Sequence, residues 1–238
     1  MKKLNTDRLS QRLEAVANYI PKGSRLADIG SDHAYLPCYT VKKGIVPYAV
    51  AGEVVDGPFQ SAKRQVEMEG LLNEIDVRKG NGLEVISEDE VDCITIAGMG
   101  GALITSILEE GKEKLKTVKR LILQPNISAI SIRSWLIKNG WLLIAEEILE
   151  EDDKIYEIIV AEKGEPEDKP ISELEKELLF GPFLLKEKSA VFKKKWQTEL
   201  KNWQRILANL EKAAHTDETI NKKKELIGKI KLVEEVLA

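Results

Sequence analysis

The sequence predicts an α/β fold: an open, three-layer, mostly parallel sheet, followed by a separate pair of long helices. Three observations predict it. Short apolar runs alternate with amphipathic segments between Arg25 and Ala161. The first run, Leu26-Ala27-Asp28-Ile29, enters a tight turn, Gly30-Ser31-Asp32-His33-Ala34, and then a helix-like segment. A doubly wound sheet begins its ligand site in this way. Beyond the polar stretch Lys163–Pro170 the pattern changes to apolar residues at steps of three and four.

The elements follow in order. Residues 6–20 form an opening helix, with Thr6 as N-cap and Leu9, Leu13, Val16, Ala17 and Ile20 on one face; Pro21-Lys22-Gly23 ends it. Arg25–Ile29 is the first strand, and Leu36–Lys43 a helix that stops at Gly44. Tyr48–Glu53 is the second strand. The helix Pro58–Gly70 has Pro58 near its first position, where a missing N–H costs nothing. Asp76–Lys79 is a short strand, and Val91–Ile96 an apolar one suited to a buried parallel position. A helix at Gly101–Glu109, a strand at Arg120–Leu123 and a helix at Ala129–Lys138, closed by Asn139-Gly140, continue the alternation. Trp141–Leu149 and Tyr156–Ala161 form a late antiparallel pair across the acidic turn Glu150–Lys154. A seven-stranded sheet with a late hairpin is the form used by Rossmann-like class I methyltransferases.

Lys163–Pro170 reads as a linker, which divides the chain into residues 1–162, the linker 163–170 and a tail 171–238. In the tail, Phe192, Trp196, Leu200, Trp203, Leu207, Leu210 and Ala214 form a narrow stripe. Ile220, Ile227, Ile230, Val233 and Leu237 continue it after His215-Thr216-Asp217. Such stripes predict an antiparallel, coiled-coil-like helical hairpin. A seam of this kind most simply packs against its own partner helix, so a monomer is expected rather than a dimer.

The 238 residues carry net charge −4 and 43% hydrophobic side chains, enough for a real core. The tail carries 14 basic against 11 acidic residues, and the remainder 22 against 29. A mildly basic tail suits an anionic partner; equally, it suits solvated helix faces. Cys38 and Cys93 have no metal or redox spacing and fit buried thiols of a reducing compartment. No apolar leader and no run of about 20 apolar residues occurs, so a cytoplasmic protein without a membrane span is expected. Neither a Ser/His/Asp set nor a metal-ligand pattern stands out, and no metal is expected.

Four loops fall at the carboxyl ends of the parallel strands, where ligands bind in such sheets. Asp28–Tyr35 is the first. It is not a dinucleotide fingerprint, because Asp32 and Ala34 stand where the later glycines belong. A pyrophosphate would meet Asp32, whereas a cationic donor such as S-adenosylmethionine is not repelled. Glu53 ends the second strand, placed to accept two ribose hydroxyls. Asn81, beside Gly80 and Gly82, offers an amide for an adenine edge. Ala97-Gly98-Met99-Gly100-Gly101 offers backbone free of bulky side chains for a flat ligand. Gln124-Pro125-Asn126 adds amides suited to a nucleobase edge, with φ fixed by Pro125. Any one of these is also an ordinary turn; their joint placement at one sheet end is the signal. His33 lies in the ligand turn, whereas His215 reads as a surface residue.

Four strings together resemble the bacterial tRNA (adenine-22-N1)-methyltransferase family, the TrmK type. They are Asp28-Ile29-Gly30-Ser31-Asp32-His33-Ala34-Tyr35-Leu36-Pro37, Gly52-Glu53-Val54-Val55-Asp56-Gly57-Pro58, Ile96-Ala97-Gly98-Met99-Gly100-Gly101 and Leu123-Gln124-Pro125-Asn126. Arg8-Leu9 before a helix and the C-terminal hairpin fit as well. The resemblance implies S-adenosylmethionine as donor and tRNA as substrate. It implies a donor site built from Asp28, Gly30, His33, Glu53, Asn81, Gly82, Ala97, Gly98, Met99, Gly100 and Gln124.

Adenine N1 carries its own lone pair, so the enzyme's work is positioning and water exclusion. Asp32 is the candidate to stabilise positive charge developing on the ring; the alternative for it is a plain donor contact. Tyr35 is a candidate to stack on a flipped base, or else packs, and Asn126 completes the catalytic set. Lys186, Lys188, Lys193–Lys195 and Lys222–Lys224 are the cations best placed in sequence for RNA phosphates. The competing readings are a methyltransferase of a small molecule and a non-catalytic RNA-binding protein on the same fold. An NAD enzyme is disfavoured by the missing glycines.

Overall fold

The computed structural model describes residues 6–164, 170–212 and 216–238. It divides into two compact units, Met1–Lys169 and Pro170–Ala238. The first unit is a seven-stranded sheet of order β3-β2-β1-β4-β5-β7-β6. Its strands are β1 (Arg25–Ile29), β2 (Tyr48–Glu53), β3 (Ile75–Lys79), β4 (Cys93–Gly100), β5 (Arg120–Ile127), β6 (Trp141–Glu151) and β7 (Lys154–Lys163). The first five are parallel, and β7 enters antiparallel between β5 and β6. Helices α1 (Gln11–Asn18), α2 (Tyr35–Lys42), α3 (Asp56–Met68), α4 (Gly101–Glu110) and α5 (Ala129–Lys138) complete the unit.

Burial explains the strand sequences. Leu26, Ala27, Ala49, Val50, Ile94, Ile96 and Leu121–Leu123 are covered on both faces, so these strands read as apolar runs rather than alternations. Two apolar clusters result. One, containing Ile94, Ile104, Leu108, Leu136 and Trp141, packs with α4 and α5; the other, containing Val16, Leu36, Ala62 and Val66, packs with α1, α2 and α3.

Several expected boundaries move, for identifiable reasons. Thr6 is not the cap of α1. Its hydroxyl donates to Glu69 and accepts from Lys42, while Ser10 caps the helix by accepting from the Leu13 N–H at 3.2 Å. Pro58 is the third residue of α3 rather than the first; the whole first turn has free N–H groups, so proline is tolerated there too. The β6–β7 turn narrows to Asp152-Asp153 at φ 50° and 60°, the left-handed pair a two-residue hairpin requires. Strands β4 and β5 run on through their glycine and proline loops, which remain paired across a bulge.

The second unit holds four helices rather than two: α6 (Ile171–Phe180), α7 (Pro182–Glu187), α8 (Ala190–Glu211) and α9 (Asp217–Leu237). Lys188 donates to the Val236 carbonyl at 2.8 Å, and Lys176 pairs with Glu235 at 2.9 Å. The end of α9 therefore returns to the start of α8. Phe180, Phe192 and Trp196 form an aromatic cluster there, and Val233 and Val236 are the buried residues of α9. The stripe on α9 passes through Val236 rather than Leu237, and Ile220 and Ile227 are 37% and 53% exposed. Those two lie in the half of α9 remote from α6 and α7, the elements that close the cluster. Ala214, His215 and most of the expected linker lie outside the described residues.

Candidate active site at the carboxyl ends of the strands

Strand β1 delivers Asp28 to the sheet's carboxyl edge, 5% exposed. Ser31 donates to its Oδ2 at 2.6 Å, and Thr95, on neighbouring β4, donates to its Oδ1 at 2.7 Å. Burial raises the Asp28 pKa above the usual carboxylate value; the two hydroxyls and, more weakly, Arg12 pull the other way. The turn that follows is tightly wound. Gly30, Asp32 and Ala34 all have left-handed backbones, at φ 73°, 53° and 54°. The left-handed backbone of Gly30 favours glycine, and a Cβ there would also displace the Met99 methyl, 2.1 Å away. The Gly30 and Ser31 N–H groups bond the Gly52 carbonyl, which ties the turn to β2.

Glu53 ends β2 nearly buried, at 8% exposure. Its Oε2 accepts from the Val54 and Val55 N–H groups at 3.1 and 3.4 Å. Among the described residues, its Oε1 accepts from none. Gly80 donates to the Glu53 carbonyl, which brings the third loop beside it. In that loop Asn81 is exposed and its N–H bonds Glu84 at 3.1 Å. Gly82, at φ 52°, packs against Ile107.

The β4–β5 bulge is the most organised part of the site. Gln124 is fully buried, and its Oε1 accepts from the Gly98 N–H at 3.0 Å and from the Arg12 guanidinium. Its amide nitrogen donates to the Pro125 carbonyl at 2.9 Å. Asn126 donates to the Gly98 carbonyl at 2.7 Å. Both backbone groups of Gly98 are thus bound by side-chain amides of β5, which hold the bulge open. Ala97 lies opposite Gln124 and Met99 opposite Pro125. Gly100 and Gly101 lead into α4, where a Cβ on Gly101 would stand 2.1 Å from the Ser128 carbonyl oxygen.

Asp32 and His33 are exposed, with Asp32 Oδ1 3.6 Å from His33 Nε2. The His33 ring stacks on Tyr35 with centroids 5.2 Å apart. Three residues of the site were not picked out by sequence. Thr95 is a polar residue in an otherwise apolar strand, a signal that was available. Ser31 stood inside the quoted turn. Arg12 comes from α1, far away in sequence, and nothing local marks it.

The model of a family described as tRNA (adenine(22)-N(1))-methyltransferase, TrmK, matches residues 26–235. The chain belongs to this family. The TrmK enzyme of Bacillus subtilis (strain 168), a tRNA (adenine(22)-N(1))-methyltransferase, is 56% identical over 236 residues, covering 98% of this chain and 99% of that one. A crystal structure of Bacillus subtilis TrmK superposes with a TM-score of 0.91, covering 98% of this chain and 100% of that one. A Streptococcus pneumoniae protein described as a putative tRNA methyltransferase, solved with S-adenosyl-L-methionine, superposes at 0.86 with 45% identity over 97% of this chain and all of that chain.

Proposed function

We propose that the protein methylates N1 of adenine 22 in tRNA, using S-adenosylmethionine. Family membership supports the reaction, and one observation in the site supports the choice of base. Asn126 commits its amide nitrogen to the Gly98 carbonyl, so its Oδ1 remains as an acceptor on an exposed residue beside the glycine bulge. An acceptor there suits the 6-amino group of adenine, and N1 is the ring atom next to that group.

The residues present fit the donor. Glu53 keeps a free acceptor for ribose hydroxyls, Asp28 offers a buried carboxylate to a cation, and Gly30 with Gly98–Gly101 leaves backbone without bulky side chains. Gln124 holds the wall between β4 and β5, with Ala97 and Met99 along it, while His33 belongs to the turn after β1 and Asn81 and Gly82 to the loop after β3. S-adenosylmethionine supplies a methyl group bound to a positively charged sulfur. No side chain has to create the nucleophile, because N1 already has a lone pair. Asn126 orients the base, Tyr35 with its stacked His33 offers a ring face, and Asp32 offsets the charge gained by the adenine ring. N1 lies on the pairing edge, so the base enters unpaired or flipped.

The second unit supplies cations for RNA phosphates. Lys193, Lys222 and Lys224 are exposed on α8 and α9, whereas Lys188 is engaged by Val236 and Lys195 lies over the Trp196 ring at 4.8 Å. A monomer working in the cytoplasm without a metal completes the reading. Among the described residues, no cluster of metal ligands occurs and no helix is long and apolar enough to cross a membrane.

The test is labelled-methyl transfer to unmodified tRNA and to the same tRNA with guanine at position 22. Transfer to the first and at least a hundredfold less to the second is expected. Equal labelling of both would refute the site assignment, and labelling of neither would favour a small-molecule substrate.

A further inference from the structure

Among the described residues, Arg12 makes no direct ion pair, although its charge is felt by Asp28. Helix α1 holds it rigidly: Glu151, at the β6 end, accepts from the Gln11 and Arg12 backbone N–H groups at 2.6 and 3.2 Å, and Ser10 caps the same turn. The guanidinium then lies against the β4–β5 bulge. One nitrogen, Nη1, donates to Gln124 Oε1 and stands 3.6 Å from where a Cβ on Gly98 would be. The guanidinium also sits 5.3 Å from the centre of the Tyr156 ring. Among the described residues, no carboxylate pairs with it, and Nε and Nη2 donate to nothing. The other arginines of this unit that are partly or fully buried behave differently: Arg78 pairs with Glu90 and Asp76, Arg120 with Glu162, and Arg133 with Glu146 and Glu157, whereas Arg25 and Arg64, which have no such partner among the described residues, are exposed. A half-buried guanidinium with a neutral amide and a π face for company is arranged to receive an anion from outside.

We infer that Arg12 is an anion-binding residue of this site, taking an oxyanion of one of the two reactants through its free N–H groups. Two reactant oxyanions have the right chemistry: the carboxylate at the amino-acid end of the methyl donor, and a phosphate next to the target nucleotide. Asp28, Glu53 and Glu151 place carboxyl groups at the same sheet end, so a cation there also offsets their mutual repulsion. The inference rests on the methyltransferase reading.

The experiment compares wild type with Arg12→Gln and Arg12→Lys. Calorimetry measures binding of S-adenosylhomocysteine and of 5′-methylthioadenosine, which lacks the amino-acid end; steady-state kinetics give KM for tRNA. If the anion is the carboxylate, Arg12→Gln weakens S-adenosylhomocysteine by about tenfold or more and leaves 5′-methylthioadenosine unchanged. If it is a phosphate, both nucleosides bind normally and KM for tRNA rises by about tenfold. In either case Arg12→Lys recovers part of the loss. The inference is overturned if both affinities and KM stay within twofold of wild type. It is also overturned if the two nucleosides weaken equally, since Arg12 would then only brace Gln124. Failure of the wild type itself to bind S-adenosylhomocysteine would overturn the methyltransferase reading along with it.

Discussion

Arg133→Met is expected to destabilise the protein by about 3–5 kcal/mol, the scale for removing one partner of a buried ion cluster. Arg133 is 1% exposed inside the sheet–helix layer. Its Nε donates to Glu146 on β6 at 2.6 Å, and its Nη2 to Glu157 on β7 at 2.8 Å. Methionine fills a similar volume but leaves two buried carboxylates without their cation. The loss is therefore electrostatic and does not come from a cavity. The triple variant Arg133→Met, Glu146→Gln, Glu157→Gln removes the charges together and is expected to recover most of the stability. Urea unfolding followed by circular dichroism measures both. A single variant within 1 kcal/mol of wild type would show that the cluster contributes little.

Asp28→Asn is expected to separate stability from binding. The Asp28 carboxyl is buried, and its pKa is raised chiefly by that burial. A carboxyl whose folded pKa exceeds its unfolded value favours the fold below the unfolded pKa and loses that contribution as pH rises through the folded pKa. Above the folded pKa the charge therefore costs stability. Asparagine has the same shape, keeps an acceptor for Ser31 or Thr95, and removes the charge. The unliganded variant should melt above wild type at pH values above the Asp28 folded pKa. The difference should shrink as pH falls and Asp28 takes up its proton. The same variant should bind S-adenosylmethionine about tenfold or more weakly, because the donor's sulfonium and ammonium lose a buried counter-charge. Thermal melts across pH and calorimetry check the two halves. A variant that melts lower and binds normally would make Asp28 structural.

These two residues also show what was legible in the sequence. Asp28 was readable because it interrupts an apolar strand at the point where a ligand turn begins. Strands β1 and β2 and helix α5 were delimited to the residue, since glycine, proline and polar breaks bound them. Arg133, Glu146 and Glu157 were not readable as a core cluster. Charged residues in a helix and two strands look solvated until the sheet order places them together. Arg12 was hidden for the same reason: its partner Gln124 is 112 residues away. The glycine run at 98–101 was recognised, but its continued pairing with β5 was not, because a bulge has no period to detect. In the tail, α6 and α7 escaped notice since they are short and pack only once Phe180 meets Trp196.

The most direct test of the central claim is the identity of the methylated nucleoside. The protein is incubated with S-adenosylmethionine and an unmodified tRNA transcript. Fragments are then mapped by mass spectrometry, and the nucleosides are resolved chromatographically. Family membership predicts 1-methyladenosine at position 22 as the product, and the Asn126 acceptor beside the glycine bulge agrees with adenine as the base. A methyl group on the 6-amino nitrogen, at another position, or on no nucleoside at all would contradict it.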